Sequence, residues 1–250
     1  MDELLKLLLL FVVGSIAGFI NVFAGGGSTI TLPILIFLGL DPSIANGTNR
    51  IGILAQTLSA VVSFRQEKYH DFRLSLRLTA FTLPGAVAGA IIATRISGDL
   101  FQKILAFVLM AITISMFLKK TNKEKPEGDQ EGKSSWLIYP VMLVIGFYGG
   151  FMQVGIGFVF MASLYHLMRL DLVRVNMHKV FIIFVYTIPA FFVFLLTGNV
   201  EWSFGLILAA GMAFGAWWAA KITVKKGEKI IKIALLPVII WMALKLLNIF

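Results

Sequence analysis

The sequence contains no cysteine and only three histidines in 250 residues. Disulfides, thiol catalysis and cysteine-ligated metal centres are therefore excluded. His70 and His166 have no second histidine at a ligand spacing, and His178 beside Lys179 makes a poor metal ligand, so no resident metal is expected. Charge is scarce too: Asp, Glu, Lys and Arg make up 14% of the chain, where soluble domains carry about a quarter. No Gly-x-Ser-x-Gly segment presents a nucleophilic serine and no histidine is placed as its base. Nothing here points to an enzyme or to a cofactor. The opening MDELLKLLLL sets acids before its apolar run and no small-residue cleavage site follows, so it reads as a first membrane segment rather than a removed signal peptide.

Apolar residues fill the space that charge leaves. They are 58% of the chain, the mean hydropathy is +0.89, and a fold of this size cannot hide so much apolar surface from water. Lipid is the expected solvent. Apolar stretches lie at 4–24, 28–40, 44–64, 74–94, 101–118, 136–156, 158–168, 174–197, 203–220 and 230–249. Most have the ~20 residues that cross ~30 Å of hydrocarbon, but 28–40 and 158–168 are short and each follows a glycine cluster. Residues 120–135 form a charged linker between a first half (1–119) and a second (136–250). The net charge of +9 could suit nucleic acid, yet the basic residues sit in short stretches between apolar runs with no base-stacking aromatics among them. The expected partners are a lipid bilayer and a small solute.

The halves resemble each other. At an offset of 130, Gly25, Gly27, Asp41 and Asn46 meet Gly155, Gly157, Asp171 and Asn176. After a four-residue shortening, Gly85, Gly89 and Arg95 meet Gly211, Gly215 and Lys221. Order and spacing point to duplication. Most of the 22 Lys and Arg residues fall in the stretches 65–77, 119–133, 169–179 and 221–232, which lie on one face if all ten segments cross. The positive-inside rule makes that face, with the linker, cytoplasmic and puts both termini outside. Whether the short segments cross or re-enter, the crossings per half are odd in number, which inverts the second half. The expected fold is an all-α integral membrane protein of about ten membrane segments, as two inverted-topology repeats of five, each with a glycine-broken segment. The expected location is the plasma (inner) membrane.

Two clusters in each half carry the candidate chemistry. Asn21 and the run Gly25-Gly26-Gly27-Ser28-Thr29 free the backbone from helical geometry, which lipid tolerates only where the amides are buried or line a cavity. A helix starting at Ser28 or Thr29, both good N-cap types, would aim N–H groups at the break and suit an anion; a tight turn between packed helices is the plainer alternative. Gln153 and Gly155-Ile156-Gly157 form the second-half counterpart. The other cluster, Asn46-Gly47-Thr48-Asn49-Arg50, heads a helix running through Gln56, and Asn176-Met177-His178-Lys179 matches it. Each places an amide and then a cation one turn on, facing the same way. A cation inside an apolar helix needs a partner or a wet cavity, so Arg50 and Lys179 either form a positive site for an oxyanion or snorkel to the two membrane surfaces. Gly85-x-x-x-Gly89 and Gly211-x-x-x-Gly215 read as close helix packing. The substrate is expected to be a small anion, with a proton or another ion as a candidate coupling partner. A passive anion channel on the same scaffold is the alternative to a secondary transporter.

The run from Gly18 to Pro33, GFINVFAGGGSTITLP, and the later Ala45-Asn46-Gly47-Thr48-Asn49 resemble the TauE/SafE family of sulfite exporters, also called toluene sulfonate uptake permeases. The likeness covers nearly the whole chain, including the repeated Gly-x-x-x-Gly helix and the central linker. The second cluster departs from the family pattern with Ile156 and Phe158 where further glycine is common. The resemblance implies transport of sulfur-containing anions such as sulfite, thiosulfate or organosulfonates.

Overall fold

The computed structural model describes residues 3–23, 25–118 and 135–246, with side chains described over 5–23, 25–110 and 135–226. Helices alone form among the described residues: α1 (Glu3–Phe23), α2 (Ser28–Phe37), α3 (Pro42–Gln66), α4 (Phe72–Ala93), α5 (Gly98–Leu118), α6 (Ile138–Phe151), α7 (Ile156–Met168), α8 (Leu172–Leu196) and α9 (Trp202–Leu246). Loop acids start two of them. The Asp71 carboxylate accepts from the Leu74 amide at 3.2 Å, and Asp171 accepts from the Val173 and Arg174 amides at 2.9 and 3.0 Å. Proline at the first position opens α3, where its missing N–H costs nothing.

The number of segments needs correcting. The stretches 203–220 and 230–249 were expected as separate spans, yet residues 202–246 form one helix of 45 residues. The basic stretch between them has no proline and a single glycine, Gly227, and its lysines and glutamate favour helix as well as any residue but alanine. Charge therefore interrupts the hydropathy without breaking the backbone. The linker residues 119–134 and the last residues of the tenth stretch lie outside the described residues.

Among the described residues, four helices are long and apolar enough to cross a membrane: Leu5–Phe23, Phe72–Ala93, Leu172–Leu196 and Trp202–Lys226. This is a multi-pass membrane protein. Its outer surface carries Val12, Ile16, Phe81, Val144, Phe192 and Phe214, all exposed as lipid-facing side chains are. At 25 residues α3 has the length to span, but its buried face holds Asn46, Thr48, Asn49, Arg50 and Gln56. The polarity that disqualifies α3 by composition marks the site described below.

Small residues bring two helix pairs into backbone contact. On α1, Gly14 and Gly18 press against the Leu208 and Met212 backbone of α9, while Gly211 and Gly215 of α9 press on Phe11 and Ser15 of α1. On α6, Gly146 and Gly150 meet Thr82 and Ala86 of α4, and Gly85 and Gly89 of α4 meet Leu143 and Phe147 of α6. A Cβ at any of these glycines would overlap a backbone atom of the partner helix. Glycine is thus needed for proximity, because dispersion between closely apposed helices replaces a hydrophobic effect that lipid cannot supply.

Gly18→Leu and Gly150→Leu, each forcing one interface apart, are expected to destabilise the protein by about 1–3 kcal/mol or more. Thermal unfolding in detergent should show both variants melting well below the wild type; an unchanged Tm in either would contradict the packing.

Candidate functional site

Two helix breaks meet at the centre of the molecule. In the first, α1 ends at Phe23, Gly25 turns with φ 83, and α2 starts at Ser28. In the second, α6 ends at Phe151, Gln153 and Gly155 both take left-handed backbone (φ 65 and 67), and α7 starts at Ile156. Gly25 and Gly157 lie back to back: a Cβ on either would occupy the other's backbone. The Phe158 ring covers Gly26, so the residue that departs from the family pattern fills the space beside the first break. Helix α2 begins where the sequence suggests, but Gly27 holds its N-cap position without a side-chain cap, and the Thr29 hydroxyl donates to the Gly26 carbonyl at 2.6 Å.

A break leaves the last carbonyls of the preceding helix without intrahelical donors. Those of α1 are met by Lys179 on α8, whose Nζ donates to the Asn21 and Val22 carbonyls at 3.1 and 2.8 Å and to Asn176 Oδ1 at 2.8 Å. Those of α6 are met from α3: the Arg50 guanidinium donates to the Gly150 carbonyl and, at 3.5 Å, to that of Gly149, and Asn46 Nδ2 donates to Phe151 O at 2.8 Å. Each half therefore supplies the cation that closes the broken helix of the other; Asn46 adds an amide donor on α6, whereas Asn176 only accepts from Lys179. Arg50 is 0% and Lys179 1% exposed, so neither snorkels to a membrane surface. The helix C-termini carry partial negative charge, which suits a cation. The Arg50 guanidinium also lies over the Phe194 ring, 4.5 Å from its centroid.

Carbonyl dipoles and the face of the Phe194 ring are what balance these charges among the described residues. Among the described residues, no carboxylate forms a salt bridge with Arg50 or Lys179. Burying an ion costs several kcal/mol, and each hydrogen bond to a charged group returns roughly 1.5–3 kcal/mol. Three such bonds to Lys179 come close to balance. Arg50 falls short, since its Nε–H has no acceptor. Other buried polar atoms around the breaks are also unmet: Asn46 Oδ1, Asn49 Nδ2, Gln56 Oε1, Gln153 Oε1 and Asn176 Nδ2. A native interior seldom leaves so many, which points to water or a ligand among them.

A family model described as sulfite exporter TauE/SafE matches residues 10–246. The chain belongs to the TauE/SafE family. It is 35% identical to a probable membrane transporter protein, ORF9, of a Sinorhizobium species, over 95% of this chain and 91% of that one. It is 30% identical to a probable membrane transporter protein of Haemophilus influenzae over 90% and 88% of the two chains. It is 27% identical to the probable membrane transporter protein YfcA of Escherichia coli K12 over 95% and 88%. No solved structure matches the chain.

In this TauE/SafE protein the residues singled out by sequence divide into groups. Asn21, Asn46, Arg50, Asn176 and Lys179 converge on the two helix ends, Gly26, Gly27 and Gly157 shape the breaks, and Ser28 is buried beside them. Asn49 accepts from the Thr31 hydroxyl at 2.7 Å, and Gln56 follows two turns later on the same face. Thr48 instead accepts the Glu201 amide at 2.8 Å and anchors the turn before α9. His178 turns away from Lys179: its Nδ1 is 2.8 Å from the Ser75 hydroxyl of α4. Sequence reasoning missed Thr31, and also Tyr186 and Thr187, which Gln153 Nε2 reaches at 3.5 and 2.9 Å. For Tyr186 and Thr187, a hydroxyl pair inside the otherwise apolar run 180–196 was the available signal.

Lys179→Met removes the charged donor from the Asn21 and Val22 carbonyls, leaving Asn21 O with the Gly25 amide at 2.8 Å, and should lower the Tm, whereas Lys179→Gln keeps an N–H donor and should recover most of the loss. Thermal unfolding of the two variants side by side checks this; equal losses would contradict the capping role.

Proposed function

We propose that this protein is a secondary transporter that carries a small sulfur-containing anion, such as sulfite, thiosulfate or an organosulfonate, across the plasma membrane by alternating access. The observation that carries the reading is the two cations, Arg50 and Lys179, buried among the described residues without a carboxylate partner, with unmet amide groups of Asn49 and Asn176 on the same helices. An oxyanion bound there would neutralise excess positive charge and accept from the Arg50 Nε–H and the Asn49 and Asn176 amides. The family's description as a sulfite exporter supports sulfur chemistry for the anion.

Alternating access requires two states of similar energy, which inverted repeats provide by exchanging the conformations of equivalent halves. Support for such repeats comes from the packing. Gly14 and Gly18 correspond to Gly146 and Gly150 at an offset of 132, and their contacts Leu208 and Met212 correspond to Thr82 and Ala86 at 126. The α1–α9 interface is thus the α4–α6 interface with the halves exchanged. The caps obey the same exchange, α3 reaching α6 and α8 reaching α1. Loop charges support a cytoplasmic position for the α3–α4 and α7–α8 connections, around Arg65–Arg73 and Arg169–Arg174, which puts the N-terminus outside.

Proteoliposomes holding the purified protein are expected to take up labelled sulfite, thiosulfate or a short sulfonate. Uptake should fall by roughly tenfold or more, the equivalent of ~1.4 kcal/mol, in an Arg50→Ala, Lys179→Ala double variant. Unchanged uptake in that variant, with the protein correctly folded, would defeat the assignment. Uptake too fast for a conformational cycle would make the protein a channel instead.

A further inference from the structure

The face that carries the basic loops opens into a cavity of 460 Å³ between the α3–α4 connection of the first half and the α7–α8 connection of the second. Lys68, His70, Arg174 and His178 are among its lining residues. One carboxylate, Asp71, also lines it, but this group accepts the Leu74 amide at the start of α4, where the helix dipole offsets its charge. Arg174 is paired outside the cavity lining with Asp171, 3.3 Å away, and Asp171 in turn caps α8 through two amides. Lys68 is exposed and held in left-handed backbone, φ 60, a conformation that costs a non-glycine residue energy. The inner wall reaches His178, which is 1% exposed and bonded to Ser75, so α8 and α4 are tied together at the bottom of the cavity. Directly beyond His178 in the chain is Lys179, on the α1 carbonyls.

We propose that this vestibule binds small inorganic oxyanions and is the mouth through which they reach the buried cations, with the Ser75–His178 hydrogen bond as its closed floor. The proposal rests on the transporter reading for the destination of the anion, but the binding itself stands on the vestibule's own residues. Three features support it. The cavity is large enough for a hydrated oxyanion, its basic groups come from both halves, and the one acid in its lining, Asp71, is already committed to a helix start. A basic cleft with low-dielectric walls concentrates anions before they meet any tight site. The floor joins one helix of each half, so a relative movement of α4 and α8 that breaks the bond would open a path inward.

The absence of native cysteine makes a direct test available. Leu74→Cys and Leu170→Cys place single thiols on opposite sides of the vestibule, at partly exposed positions that the fold should tolerate. Each is treated with an anionic (sulfonatoethyl) or a cationic (trimethylammonioethyl) methanethiosulfonate reagent, with rates normalised to those for a free thiol in solution. Both sites should react about tenfold faster with the anionic reagent. Millimolar sulfate should slow that reaction, and Lys68→Gln combined with Arg174→Gln should abolish the preference. Equal rates for the two reagents, or a preference for the cation, at both sites would overturn the proposal. No transport enters this readout. A preference for the anionic reagent in a protein that transports nothing would leave the vestibule site standing and remove the transporter reading; normal transport without the preference would do the reverse.

Discussion

Lys179 Nζ spends its three protons on the Asn21 and Val22 carbonyls and the Asn176 amide oxygen, while Arg50 reaches the Gly149 and Gly150 carbonyls across the molecule. These contacts make the rest of the centre possible. A helix interrupted inside a membrane protein exposes carbonyls that lipid cannot satisfy, and the interruption persists only if something else donates to them. Here the donors are charged and come from the opposite half. Neither half can therefore complete its own broken helix, and the integrity of each break depends on how the halves sit against one another.

The same arrangement leaves the centre unfinished. Carbonyl dipoles and helix C-termini moderate two positive charges without cancelling them, and several amide groups nearby have no partner. A purely structural core would gain by replacing such groups with apolar ones of similar volume, because buried ions rarely contribute net stability. Under the proposed function, an anion that visits accounts for their presence. Around this unfinished centre the glycine-lined interfaces of α1 with α9 and α4 with α6 are close-packed and complete, so rigid pairs of helices surround a polar seam.

Much of this could be read from the sequence. Nearly every apolar stretch became a helix within a few residues of its expected limits, since the residue patterns that exclude water also favour helix. The glycine clusters marked the breaks, and the asparagine–cation spacing located the centre on α3 and α8. Other points were not legible. The charged stretch 221–232 read as a loop because hydropathy registers charge, whereas helix continuity depends on backbone propensity. The destination of Arg50 and Lys179 stayed open between a site and the membrane surface, because sequence spacing gives a direction along one helix and not the carbonyls of another. The hydrogen bond from Thr31 to Asn49 and the turning of His178 toward Ser75 likewise depend on tertiary contacts.

In the proposed transport cycle an anion takes up the free Arg50 Nε–H and nearby amides and draws both cations off their carbonyl partners. An experimental structure determined with thiosulfate, whose sulfur can be located by anomalous scattering, tests it most directly. A sulfur peak is expected within hydrogen-bonding reach of both cations, with the bonds to the Gly149–Gly150 and Asn21–Val22 carbonyls lengthened or lost. A bound thiosulfate elsewhere, with both cations still seated on those carbonyls, would contradict it.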